Sequence, residues 1–184
     1  MQRRRKMGKC DYEIKGTVER AKMVEQIRLA ARQFAMLYFH FVKVLYDTYG
    51  REKAKDLVRQ AVYDQAVDRS DILRKKACQE GRKTDTVEDF MAGIDLPFCG
   101  WIPEWGEDHC PYGVIWREYS EKYPWFREFA TFYCDVIDTT TIENFTKHLS
   151  HRITQNVIVE GTSCKREYFE SEAVKEGKYT YAGK

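Results

Sequence analysis

Residues 148–161 read HLSHRITQNVIVEG, and this stretch decides between an all-helical chain and a mixed one. Leu149, His151, Ile153, Val157 and Val159 alternate with Arg152, Thr154, Asn156 and Glu160, which is the two-residue period of a strand. A turn at Gly161-Thr162 follows, and then a second run, SCKREYFE, over residues 163–170. Pairing Glu160 with Ser163 across a two-residue turn sets Val159 opposite Cys164 and points that thiol to the face of the valines. A slip of one residue would reverse the face, so the register carries this expectation. His151 lies about 26 Å from Val159 along a strand rising ~3.3 Å per residue, too far to meet Cys164, and reads as a structural or surface histidine.

Upstream of this hairpin the period is helical. Met23, Ile27, Ala30, Ala31, Phe34, Leu37, Tyr38, Phe41, Val44 and Leu45 recur every three or four residues, predicting a helix from near Thr17 to Tyr49 that Gly50 ends. A second helix is expected over Arg51–Gln79, with Ala54, Leu57, Val58, Ala61, Val62, Ala66 and Ile72 inward and Gly81 closing it. A short helix around Val87, Phe90 and Met91 precedes DLPFCGWIPEWG, where the prolines and glycines forbid a long element and Trp101 and Trp105 suggest a short strand.

The segment EDHCPY, residues 107–112, sets a thiol directly before a proline. From Pro111 the set Tyr112, Ile115, Trp116, Tyr119 and Tyr123 has helical spacing, and proline is favoured at the first helical position. Cys110 then sits at the N-cap, where unpaired amides and the helix dipole favour the thiolate. A small buried hydrophobe at a turn is the alternative reading of this cysteine. Tyr112, Val114 and Trp116 also alternate as a strand would, and Gly113 suits neither reading well. After Pro124 a further stripe, Trp125, Phe126, Phe129, Ala130, Tyr133, Ile137 and Ile142, places Cys134 and Asp138 four residues apart on one face. A carboxylate beside an apolar stripe needs a partner or a task, unless it turns sideways to solvent as Asp135 is expected to do.

Composition bounds the class. A chain of 184 residues, 43% hydrophobic, has the size of one domain. We expect a basic tail at 1–16, one α+β domain at 17–170 in which a helical N-terminal half packs on a small antiparallel sheet with a C-terminal hairpin, and a polar tail at 171–184. A formal net charge of +2 with mixed signs argues against nucleic acid as a partner. The opening MQRRRK lacks the apolar run of a secretory signal, and no window approaches the ~20 apolar residues of a membrane span, so a cytoplasmic chain with no membrane partner is expected. Six cysteines without dense disulfide spacing are expected as free thiols, ligands or nucleophiles, and the lack of a CxxC pair weakens a zinc reading. His109 and His148 are further candidate bases, and no P-loop, dinucleotide fingerprint or Ser/His/Asp pattern is present.

The order HCPY, then YCDVID, then VEGTSCKREYF resembles the family of L-2-amino-thiazoline-4-carboxylic acid hydrolases over roughly Val18 to Phe169, and DTYGREKAKDLV is similar to part of its helical half. Lys165 stands where that pattern leads one to expect an acidic residue. The resemblance implies hydrolytic opening of a cyclic amidine by attack at the ring carbon between nitrogen and sulfur, giving an N-carbamoyl cysteine. Such an enzyme is classed among hydrolases of non-peptide carbon–nitrogen bonds. It casts Cys110 as nucleophile, Asp138 as acid/base, Cys134 and Cys164 as further site residues, and His109, Tyr112, Trp116, Arg152 and Arg166 as substrate contacts, the arginines as bidentate partners of a substrate carboxylate. No cofactor is expected. Two alternatives stand beside this: a metal-assisted hydrolase with the cysteines as zinc ligands, and a non-catalytic sensor or carrier of a small molecule similar to the 4-vinyl reductase type of domain. The expected partner in every case is a small molecule, with homo-oligomer formation left open.

Overall fold

The computed structural model describes residues 16–101, 110–161 and 163–182. Seven helices and one two-stranded antiparallel sheet occur among them, a mainly helical α+β fold with the helical half first and the hairpin late. No helix among the described residues is long and apolar enough to cross a membrane.

Helix α1, Arg20–Tyr49, stops at Gly50, whose φ of 76° is readily adopted only without a Cβ. Helix α2, Arg51–Gln79, starts at once, and Gly81 (φ 67°) follows its end. Its buried row, Ala54, Val58, Val62, Ala66, Ser70, Leu73 and Ala77, steps by three or four and is mostly small, so α2 lies close against helix α6, Phe126–Thr146. Leu57, Ala61 and Ile72, expected inward, face outward, Ile72 at 65% exposure. On α1 the buried row is Ala31, Ala35, Phe39 and Val42, whereas Met23, Ala30, Leu37, Phe41 and Val44 are exposed. This helix is apolar on more than one side, so periodicity alone does not select the face that meets α5, Pro111–Lys122.

Helix α3, Val87–Gly93, opens on a capping box in which Thr86 Oγ1 accepts from Asp89 N and Asp89 accepts from Thr86 N. Trp101 belongs to a single helical turn, α4 (Phe98–Trp101), instead of the expected strand, because Pro97 and Gly100 bracket a tight hydrogen-bonded turn. Trp105 and His109 lie outside the described residues. Helix α5 does begin at Pro111 with Cys110 as N-cap.

Strand β1, Leu149–Gln155, pairs with β2, Lys165–Glu170, in a register running from Leu149 opposite Glu170 to Gln155 opposite Lys165. The expected two-residue turn is corrected here. Strand pairing ends at Gln155, and a helical turn replaces the second half of the run: Glu160 N donates to Asn156 O at 2.9 Å, and Asn156 N donates to Glu160 Oε2 at 2.6 Å. Val157 and Ile158 are adjacent and both buried, which an alternating strand cannot arrange, while Val159 is 53% exposed. Gly113 makes room for Val157 on α5. Cys164 is buried, though not by facing Val159: Val157 N donates to its Sγ at 3.5 Å.

Residues 171–182 dock on the body instead of trailing from it. Helix α7, Glu172–Lys175, is capped by Ser171 and buries Val174, and Tyr181 packs on the main core. The main core gathers α1, α2, α5 and α6 with Val157 and Ile158, while Leu73, Phe90, Ile142, Phe145 and Leu149 form a smaller one near α3.

Candidate functional site

Helix α6 carries the site's centre because it is buried along most of its length, so a polar side chain on its buried part must face a partner or a hollow. Cys134 and Asp138 both face a cavity of about 860 Å³. The start of α5 contributes Cys110, Tyr112 and Trp116, β2 contributes Arg166, α1 contributes Ile27 and Phe34, and α2 contributes Arg69. Aromatic contacts stiffen the wall: Phe34 and Tyr112 ring centroids are 4.8 Å apart, and Trp116 meets Tyr133 edge-on at 5.0 Å. Trp116 Nε1 donates to Ala35 O at 3.0 Å, which ties α5 to α1 with the indole buried.

Two arginine–carboxylate pairs stand in this wall. Arg166 Nε donates to Asp138 Oδ2 at 3.3 Å, both side chains being about three-quarters buried. Arg69 Nε donates to Asp95 Oδ1 and Oδ2 at 2.9 and 3.1 Å and Nη2 donates to Oδ1 at 2.5 Å, a pairing that ties α2 to the loop after α3. A side chamber of about 130 Å³, lined by Phe90, Ile94 and Tyr168, shares Arg69, Asp138 and Arg166 with the main cavity.

Burial holds the Cys134 thiol well above its ordinary range, with Cys110, Asp138 and Cys164 adding to the rise and Arg166 opposing it. Cys134 is therefore a neutral thiol at pH 7. Burial also raises Tyr112, and Cys110 adds to it. Asp135 is pushed up to about 6 by burial and by Asp138, so it is not the plain surface charge that was expected. His151 is buried, meets Thr139 Oγ1 through Nδ1 at 3.2 Å, and is pushed down to about 4 by burial.

Of the residues singled out from sequence, Cys110, Cys134, Asp138, Tyr112, Trp116 and Arg166 line one cavity. Cys164 does not line it, but lies near enough to act on Cys134 through charge. Arg152 is not brought there: it points to solvent, pairs with Glu167 at 2.6 Å and lies over the Phe169 ring. Residues 152 and 166 stand on opposite strands, one step out of direct register, and so on opposite faces of the sheet. His109 lies outside the described residues, and His148 is engaged at the surface with Glu170 and Asp85. Sequence reasoning missed Arg69 and Asp95. Residue 69 follows Ala66 by three and precedes Leu73 by four, the spacing of the buried row, and that was the available signal. Among the described residues no group of three His, Cys, Asp or Glu side chains is placed to hold a metal ion. No family model, curated protein or solved structure matches this chain.

Proposed function

We propose that the cavity is the active site of a hydrolase that opens a small cyclic amidine of the L-2-amino-thiazoline-4-carboxylate kind. The observation that carries this reading is the convergence of Cys110, Cys134, Asp138 and Arg166, from two helices and a strand, on one aromatic-walled hollow. A ligand cavity of roughly 300–1,000 Å³ with few polar groups is the usual form of a small-molecule site.

The chemistry assigns each group a task. The ring carbon of an amidine is a weak electrophile until its nitrogen is protonated, and Asp138 is the group that holds that N–H. Cys110, at the positive end of α5, adds as thiolate to the carbon. The ring carbon–sulfur bond breaks as the C=N bond re-forms, the proton on the ring nitrogen passing through the Asp138 carboxylate to the leaving sulfur, and the carbon stays on Cys110 Sγ. Water then attacks that carbon, Asp138 takes its proton, and the bond to Cys110 breaks to release an N-carbamoyl thiol. Arg166 keeps Asp138 in place, and Arg69, which lines the same cavity with its Nε–Nη2 edge held by Asp95, supplies positive charge toward a ring carboxylate. Cys134, held as a thiol, lines the pocket and is not the nucleophile.

The test is to incubate the chain with L-2-amino-thiazoline-4-carboxylate and a set of related cyclic amidines, following by mass spectrometry the product heavier by one water. Turnover that Cys110→Ala abolishes supports the reading. Absence of turnover across the set, or full turnover by Cys110→Ala, sinks it. One observation favours a second reading, a binding domain without catalysis: burial suppresses thiolate formation at Cys134, one of the two cavity thiols. Recovery of a saturating ligand chemically unchanged would decide for that reading.

A further inference from the structure

A second hollow lies across α1 from the cavity. It is a groove of about 660 Å³ between α1 and the first turns of α5. Ile27, Ala31 and Phe34 line the cavity, whereas Val24, Arg28 and Leu29 line the groove, so α1 forms a wall of both. The start of α5 is shared in the same way. Cys110 and Tyr112 face the cavity, while Pro111, Val114 and Ile115 face the groove.

The groove's floor is apolar, and among the described residues Arg28 and Arg32 line it beside the acid Glu25. Arg28 is unusual within it. Its Nε and Nη2 atoms are shielded from solvent and have no hydrogen-bond partner among the described residues. A guanidinium donor buried without an acceptor is destabilising, so its retention calls for an explanation. The Nε–Nη2 edge is the one that receives a carboxylate bidentately, and Arg28 itself borders the groove, so a ligand there requires the side chain to turn to another rotamer.

We propose that this groove binds a carboxylate-headed amphiphile, with the head on the Nε–Nη2 edge of Arg28, reinforced by the charge of Arg32, and the apolar chain along Val24, Leu29, Val114 and Ile115. The volume falls within the roughly 300–1,000 Å³ of small-molecule sites, and Arg28 with Arg32 matches a negative head. A chain resting on Pro111 and Val114 bears on the turn that carries Cys110, so occupancy of the groove reaches the cavity wall through one turn of helix.

The full-length chain titrated with sodium octanoate, followed by amide NMR shifts and calorimetry, tests this. Octyltrimethylammonium supplies the same tail with the opposite charge, and acetate supplies the head alone. The expected result is saturable octanoate binding that moves the amides of Arg28, Leu29, Val114 and Ile115, with neither control saturating. Arg28→Met should weaken octanoate by at least about tenfold, since a bidentate charge-assisted pair is lost, while melting no lower than the parent because an unmet buried donor is gone. Should that variant fail to fold, the half-exposed Leu29→Glu, which places a negative charge on the floor, should weaken octanoate to the same degree. Equal binding of the cationic tail, unchanged octanoate affinity in Leu29→Glu or in a folded Arg28→Met, or octanoate shifts confined to cavity residues such as Trp116 and Asp138 would overturn the proposal.

Discussion

Asp138 and Glu143 stand five residues apart on the same helix, and their surroundings could hardly differ more. Glu143 is fully buried and accepts three hydrogen bonds: Ser150 Oγ donates to it at 2.6 Å, Thr180 N at 2.9 Å and Thr180 Oγ1 at 2.5 Å. Asp138 accepts one hydrogen bond among the described residues, the 3.3 Å contact from Arg166, and opens on a cavity. A fully buried carboxyl group that the fold already supplies with three donors is out of a ligand's reach and acts as a rivet. One with acceptor capacity facing a hollow is available for chemistry. Burial and the count of donors already in place together separate the two cases.

The sharpest way to break this comparison is to remove each carboxyl in turn. Glu143→Ala should cost about 3–5 kcal/mol, because it opens a void and strands the donors of Ser150 and Thr180. The drop would be read from the urea midpoint at constant m-value. Asp138→Asn should leave stability within about 1 kcal/mol of the parent while lowering amidine turnover by at least about 10²-fold, the scale of a lost general acid–base contribution. If the two variants behaved alike in both assays, the distinction between rivet and reagent would fail.

Thr180→Ala tests whether the docked C-terminal segment is part of the rivet, and a loss of about 1–2 kcal/mol is expected from one hydroxyl donor. Hydrogen exchange at residues 171–182 should quicken at the same time. An unchanged exchange pattern would mean that Val174 and Tyr181 hold the segment unaided.

The smallest effect is in the pH profile. His151 has a native value near 4 against an ordinary 6.5, so the unfolded chain takes up the proton first and stability falls as pH drops from about 6.5 to about 4. Asp135 has a native value near 6 against an ordinary 3.8, so here the native state holds the proton more firmly and stability rises as pH drops from about 6 to about 4. The two slopes oppose each other in the parent. His151→Gln should therefore leave a chain that gains stability on mild acidification, and Asp135→Asn one that loses it more steeply. Superimposable denaturation midpoints from pH 4 to 7 for parent and both variants would rule out these environments.

Much of the site was readable because it rests on local rules. Proline at the first position of α5 makes Cys110 the N-cap whatever packs around it, and four-residue spacing puts Cys134 and Asp138 on one side of α6. Arg166 and Arg152 were indistinguishable as sequence, since both are arginines on a hairpin. The register turned one to Asp138 and the other to Glu167. Arg69 looked like one more outward charge on a polar helix, and only the loop carrying Asp95 gives it a place in the wall.

The sequence by itself determined the order and type of the main elements, the breaks at Gly50 and Gly81, and the start of α5, because proline, glycine and the spacing of apolar residues act within one turn of chain. Tertiary structure alone decided which side of α1 is covered, that Val157 and Ile158 leave the strand to plug the core, and that Glu143 is tied off while Asp138 is not. Those outcomes depend on which surfaces meet across tens of residues. Burial is settled by the partner that arrives, not by the residue that waits for it.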